Sequence, residues 1–369
     1  MKKRTFIYGA ASIAMVALVV MGMTSCSTRD NAFSEETKDV ENVPAKLIIK
    51  EINVGGCKTS DNKNYSWSKG IILYNNSTTK AVVKNLGIAF ALPLNAHAAN
   101  SNYGEDGVLT YEKEGWVPAG QGLWYFPETV TIEPYSDLVI AVNGAIDHIN
   151  HPVVTNTTPE GTVIPNAIDF SNADYAMYDL TSSYVNASAY PAPANAAIPC
   201  MKAAAFVSAN AWPVSIVCPA LFLFMAPEDV DLPAYFADEN NILTVGGTAK
   251  SNTSCKIPME WVIDGVELYQ TINVDKSKKR LPASIDAGYG LYNSQSGYSA
   301  YRNVDQKATE AIASNTGKLV YDYADAVENI TEPSGIDAAA SIKNGAQIVY
   351  KDTDNSTNDF HLRKGWSLK

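Results

Sequence analysis

The chain has 369 residues and a formal net charge of −11, with 39 acidic against 28 basic side chains. No basic run with interleaved aromatics occurs, which argues against nucleic acid or anionic lipid as partner, since such binding rests on Lys and Arg contacts to phosphate. Twenty tyrosines, six tryptophans and a charged fraction of only 18%, with Gly and Pro recurring between short apolar runs, favour a β-rich exported domain over a helical one.

The first element concerns address. Lys2, Lys3 and Arg4 precede an uncharged apolar stretch from Phe6 to Met21, and Thr24-Ser25 lead directly into Cys26. This is the layout of a secretory signal peptide over residues 1–25. The apolar stretch is shorter than the roughly 20 residues a membrane-crossing helix needs. Met23-Thr24-Ser25-Cys26 resembles a bacterial lipobox, with Met23 where Leu is commonest. The expectation is that Cys26 becomes the acylated first residue, held by about 0.8 kcal/mol per buried methylene. Ser27 after it favours the outer membrane, and the cell surface is the expected face. Residues 26–44 are polar without a sustained apolar period and read as a flexible tether. Without residues 1–25 the chain keeps 25 basic against 39 acidic side chains, a net charge of about −14.

From residue 45 the pattern turns to strands. Ala45 to Val54 is one, ending at Gly55-Gly56, and Gly70 to Ser77 is a second that runs into an Asn-Asn-Ser turn. Ala81 to Phe90 reads as strand, bend, strand; Gly122 to Phe126 as an aromatic strand; Thr131 to Ser136 as a turn; Asp137 to Val142 as a buried strand. Runs recurring about every 8–15 residues with turn chemistry between them are the signature of a sandwich or barrel. Residues 145–240 differ: Ala and Pro cluster, as in Tyr190-Pro191-Ala192-Pro193-Ala194, around two apolar strands at Ser215 to Val217 and Ala220 to Met225. This is a long elaboration between core strands, where functional surface usually sits. Beyond it come a strand from Cys255 to Tyr269 with a turn at Asp264-Gly265, a helix from Gln306 to Ala313, a Lys-Leu-Val-Tyr strand at 318–321 and a strand from Ala346 to Tyr350.

Few side chains suggest chemistry. Cys57, Cys200, Cys218 and Cys255 permit two disulfides in any of three connectivities, or four buried thiols; a Cys-rich zinc site is unsupported because no C-x-x-C pair begins one. His148 and His151 form an H-x-x-H beside Asp147 without an obvious third ligand, so surface histidines and no metal are expected. No nucleophile elbow, phosphate loop or H-E-x-x-H occurs, no cofactor is implied, and no catalytic residue can be named. Near the C-terminus Asp352, Asp354, Ser356 and Asn358 alternate like calcium ligands. An EF-hand loop counted from Asp352 needs Gly at the sixth place and Glu at the twelfth, where Thr357 and Arg363 stand, so the segment reads as a structural ending. The stretch Gly288-Tyr289-Gly290-Leu291-Tyr292, with Tyr298 and Tyr301, offers flat amphipathic area suited to a sugar or peptide, or serves as ordinary sheet-flanking tyrosines. Trp116, Trp124 and Trp212 share that ambiguity. The ligand-binding candidates are Trp212, which lies in the elaboration, together with Tyr289, Tyr292 and Tyr298.

Five segments recur in an order that resembles a family. They are A-K-L-I-I-K-E-I-N-V-G-G-C at 45–57, G-I-I-L-Y-N-N-S at 70–77, T-I-E-P-Y-S-D-L-V-I-A-V at 131–142, S-G-Y-S-A-Y-R at 296–302 and K-D-T-D-N-S-T-N-D-F at 351–360. Together they resemble Bacteroides-type outer-membrane lipoproteins of unknown function built on a lamin-tail-like domain. The resemblance implies an all-β, Ig-like sandwich over residues 45–369, with a loop-rich insertion at about 145–240 and little helix. It covers residues 145–240 and 303–343 poorly. It also implies that Arg302 and Asp359 belong to the frame of the fold, an ion pair tying two sandwich segments together. The implied function is a lipid-anchored binding module, an accessory subunit of a TonB-dependent importer of peptide or glycan. Its partners would be membrane lipid through Cys26, the transporter and companion lipoproteins. Two other classes stay open. A surface hydrolase requires acids or histidines converging in one cleft, and an adhesin that exchanges strands requires an unpaired strand at 45–54.

Overall fold

A computed structural model describes residues 45–120, 122–182, 190–204, 214–244, 253–327 and 333–368; Cys26, the tether and Trp212 lie outside the described residues. Two six-stranded sheets are built from β1 (Leu47–Asn53), β2 (Gly70–Asn75), β3 (Leu86–Phe90), β4 (Trp124–Tyr125), β5 (Asp137–Ala141), β6 (Tyr175–Ala176), β7 (Lys202–Ala203), β8 (Ala220–Met225), β9 (Val262–Gln270), β10 (Gly290–Tyr292), β11 (Ser299–Arg302) and β12 (Phe360–Arg363). The first sheet runs β6-β5-β2-β1-β11-β12 and the second β7-β4-β3-β8-β9-β10. Neighbours are antiparallel except for the pairs β5–β6 and β9–β10. Strand β1 is paired on both sides, so the strand that an adhesin would donate is central.

The core lies between the sheets. Leu47, Ile49, Ile71, Leu73, Leu138 and Ile140 of the first meet Leu86, Ile88, Phe90, Leu221, Leu223, Val266 and Leu268 of the second. Side chains of a strand alternate between faces, which explains Leu47 and Ile49; a bulge between Ile49 and Glu51 then shifts the register, so Ile52 returns to the core. The residues between them, Lys50 and Glu51, both face the far side of the sheet.

That far side is not wet. Val304, Ile336, Ala338, Ile348 and Tyr350 cover one half of it over Ile48, Tyr74 and Tyr301. Ile168, Phe170 and Ile198 of the 145–240 elaboration, with Trp366, cover the other half over Ile72 and Ala141. A sheet buried on both faces wants continuous apolar strands, and β2 is buried at every position. On the outer face of the second sheet, Phe222 and Phe224 pack against Phe236, Trp261 and a three-stranded sheet of Ile242–Thr244, Thr253–Pro258 and Trp116–Ala119. The fold is therefore all-β and sandwich-like with little helix. Among the described residues no helix is long and apolar enough to cross a membrane.

Several local expectations are corrected. Val130–Ile132 is a strand pairing with Ala81–Val83, and the turn comes after it, with Tyr135 at φ 50°. Asp264-Gly265 is no turn but the middle of β9; a Cβ on Gly265 would fall 2.4 Å from Ile285 Cγ2, so this glycine serves packing. Ser215 to Val217 is not a strand, because Ser215 Oγ accepts from the amides of Val217 (3.3 Å) and Cys218 (3.0 Å) and closes a turn instead. The predicted helix ends at Glu310, and the 318–321 and 346–350 segments are covering loops, with a single bridge from Tyr350 to Val304. The disulfide option also falls: no disulfide joins Cys57, Cys200, Cys218 and Cys255, which are built into four different apolar clusters.

Candidate functional site

At one end of the second sheet, β9 and β10 run side by side, and the segment joining them folds over their ends. Tyr269 closes β9 and Tyr289 opens the approach to β10, and their rings stack with centroids 4.3 Å apart and planes 11° from parallel. Tyr269 is only 3% exposed and rests on Ala96 and Cys218, while Tyr289 is half-buried, so Tyr289 is the outer ring of the pair. With Tyr103, Val274, Asp275, Ser277, Lys278 and Lys279 they line an open cleft of about 710 Å³. That volume is in the range of small-molecule sites, roughly 300–1,000 Å³. The Lys278 ammonium stands 5.6 Å from the Tyr103 ring centre, a cation–π contact, and the Tyr103 hydroxyl donates to the Lys279 carbonyl at 2.8 Å. Burial, then the nearby Glu267 carboxylate, pushes the Tyr269 phenol above its ordinary range, so it stays protonated and is available as a donor.

A buried ion network supports the cleft floor. Glu267 accepts from Arg280 Nε at 2.9 Å, from the Arg280 and Leu281 amides, and from Lys279 Nζ at 2.9 Å. Burial alone would raise the Glu267 carboxyl, but Arg280 and Lys279 outweigh it and hold it below the usual value. Lys279 also lies 3.5 Å from Asp286 and donates to the Gly288 carbonyl. Asp286, pushed up by burial, accepts from Ser356 N at 2.8 Å and Ser356 Oγ at 2.7 Å. Two cations and two carboxylates thus cancel beneath the cleft.

The D-T-D-N-S-T-N-D-F segment braces this loop from behind. Thr357 Oγ1 accepts from the Tyr289 amide and donates to its carbonyl, both at 3.0 Å, and the Ala287 amide donates to the Asp354 carbonyl at 2.7 Å. A Cβ on Gly288 would sit 2.0 Å from Asn355 Oδ1, so only glycine lets the two loops approach. Asp359 accepts from Thr353 N and Thr353 Oγ1, each at 2.8 Å. Among the described residues no group of three His, Cys, Asp or Glu is placed to hold a metal ion.

Of the sequence candidates, Tyr289 is in the cleft. Tyr292 is not: it is fully buried, and its hydroxyl accepts from the Val54 and Gly55 amides at 3.1 and 2.8 Å, holding the end of β1. Tyr298 packs half-buried against the main core, and Trp124 is wholly inside it. Tyr103, Tyr269 and Lys278 were not singled out by the sequence; no spacing signal joins Tyr103 to the other two, and Tyr269 read only as a strand end. Arg302 is fully buried, with Asp264 at 2.6 Å, Asp352 at 3.1 Å and Asp359 at 3.8 Å. Its nearest carboxylate is thus Asp264, hidden in the segment read as a turn. The expectation of surface histidines holds for His151 and fails for His148, which is buried with Nδ1 accepting from the Tyr65 hydroxyl at 2.7 Å and Nε2 donating to the Gly144 carbonyl at 3.2 Å.

Comparison with known proteins gives a family but no activity. No curated protein matches the chain. A crystal structure of a DUF4876 family protein from Bacteroides thetaiotaomicron VPI-5482 is similar, with a TM-score of 0.57 and 20% identity over 86% of this chain and 70% of that one. At that identity the likeness speaks for the fold alone. The model of the protein family of unknown function DUF4876 matches residues 133–330, which takes in the elaboration, Tyr269, Tyr289 and Arg302. This match spans more than half of the sequence, and the chain belongs to the DUF4876 family.

Proposed function

We propose that this protein is a capture module: an Ig-like sandwich anchored through acylated Cys26 to the outer membrane, at the cell surface, serving a TonB-dependent importer of peptide or glycan. The aromatic cleft is the observation that carries the reading. It is open, preformed, about 710 Å³, and presents Tyr289 on a braced loop. Its lining supports holding over cleaving, since among the described residues it offers one carboxylate, Asp275, whereas glycoside cleavage uses a facing pair. The leader and tether of residues 1–44 supply the address, and the net acidity turns the domain away from nucleic acid and anionic lipid.

Affinity purification of the tagged chain from detergent-solubilised outer membranes, followed by mass spectrometry, tests the proposal. The expected result is stoichiometric recovery of a β-barrel transporter, abolished when Cys26→Ala leaves the protein out of the membrane fraction. Recovery of the chain alone would remove the importer from the proposal.

A further inference from the structure

The geometry points to a neutral carbohydrate as the ligand of the cleft, an assignment that rests on the capture reading above. Three observations carry it. The outer ring of the Tyr269–Tyr289 stack is half-buried and lines the cleft, and one of its faces rests on a ring only 3% exposed. A pyranose has a face of C–H bonds that lies on such a ring, with hydroxyls radiating from its edge. A peptide side chain is better served by a closed apolar pocket, and this cleft is shallow and open.

Next come the donors and acceptors. Tyr269 is 3% exposed and lines the cleft, and its phenol, held protonated by burial, is a donor. Tyr289 lines the cleft beside it and brings a second phenol. Ser277, Asp275 and Lys278 add both kinds of hydrogen-bonding group at the rim. A sugar hydroxyl, donor and acceptor at once, satisfies this mixed set.

Charge selects among sugars. Lys279 is neutralised by Glu267 and Asp286, which leaves one cation, Lys278, against one anion, Asp275. A cleft that sums to about zero gives no advantage to a uronate or sulfate, whose recognition calls for clustered Arg or Lys.

The experiment uses the full chain in a sugar-free detergent. Maltohexaose, cellohexaose, mannohexaose and chitohexaose are the neutral probes, hexagalacturonate the anionic one and a tryptic casein digest the peptide one, each followed by calorimetry and saturation-transfer NMR. The expected result is saturable binding of at least one neutral hexasaccharide, unchanged by added salt and weakened about tenfold or more by Tyr289→Ala, with most affinity kept by Tyr289→Phe. Melting curves matching the unsubstituted chain show that both variants are folded. Binding of hexagalacturonate or peptide alone, neutral-sugar binding that survives Tyr289→Ala, or silence from all four neutral probes would overturn the carbohydrate assignment. Capture itself is judged separately: peptide binding lost in Tyr289→Ala keeps it, while absence of both a bound probe and a co-purified transporter sinks it.

Discussion

Arg302 is the side chain on which most of the frame converges. Its Nε donates to the Ile49 carbonyl at 2.8 Å, Nη1 to the Lys351 carbonyl at 2.9 Å, and the guanidinium lies 4.7 Å from the Phe360 ring centre. Burial pushes the neighbouring Asp264 carboxyl up to about 6 even with Arg302 beside it. Removing the cation leaves that carboxylate buried without its partner, a loss of about 3–5 kcal/mol. Arg302→Met is therefore expected to unfold at much lower urea at neutral pH, and Arg302→Glu, which adds a fourth carboxylate to the group, is expected not to fold. Urea midpoints equal to that of the unsubstituted chain would refute the frame role. His148 offers a pH test. Burial lowers its imidazole from 6.5 to about 4, so the unfolded chain takes up the proton first as pH falls. Its contribution to stability is thus present above about 6.5 and is lost as pH falls towards about 4. Asp264 and Glu51, both raised by burial, act in the opposite sense, gaining stability on acidification. The difference between the protein and a His148→Gln variant isolates the histidine: the stability gap is expected to narrow between pH 6.5 and pH 4. A gap that stays constant over that range would contradict a neutral buried imidazole.

At the scale of elements, two devices set what the strands present. Strand alternation turns Lys50 outward into a ring of Tyr74, Tyr301 and Tyr350, 5.5–5.9 Å from their centres, where its ammonium meets Asp137 at 2.7 Å, and the bulge in β1 adds Glu51 to the same face. The second device is the hinge-free loop before β10, tied to the C-terminal segment by Thr357. Thr357→Val keeps the shape of that side chain but leaves the Tyr289 amide and carbonyl without their partner, a local cost of about 1–3 kcal/mol. The fold as a whole is expected to persist, while hydrogen exchange at the Tyr289 amide speeds by about tenfold or more. Unchanged exchange there would show that the loop is held by something other than the brace. The same calcium-like alternation that drew notice in the sequence is, in the structure, the back of the cleft wall.

Over the whole molecule, the strand segments were legible because they obey local rules. Leu47, Ile49, Ile71 and Leu73 are apolar in short β-branched runs closed by turn residues, and these runs became β1 and β2. Errors fell where a residue answers to a distant partner. Asp264-Gly265 has the chemistry of a turn, yet Asp264 accepts from the Ile49 amide at 2.6 Å across the core and Gly265 makes room for Ile285. Ile348 and Tyr350 look like a strand and instead cover the outer face of the first sheet. Residues 133–330 tie the chain to DUF4876 and hold Asp264 and Arg302 of the frame, while β1, β2 and β12 of the first sheet lie outside that match. By itself the sequence determined the β-rich class and the net acidity, because each depends on composition or on residues near one another in the chain. The cleft was decided only by tertiary structure. Tyr103 comes from a distant loop and meets Tyr269, Lys278 and Tyr289, which lie along β9 and the loop after it, because β9 and β10 pair in parallel while the C-terminal segment locks that loop.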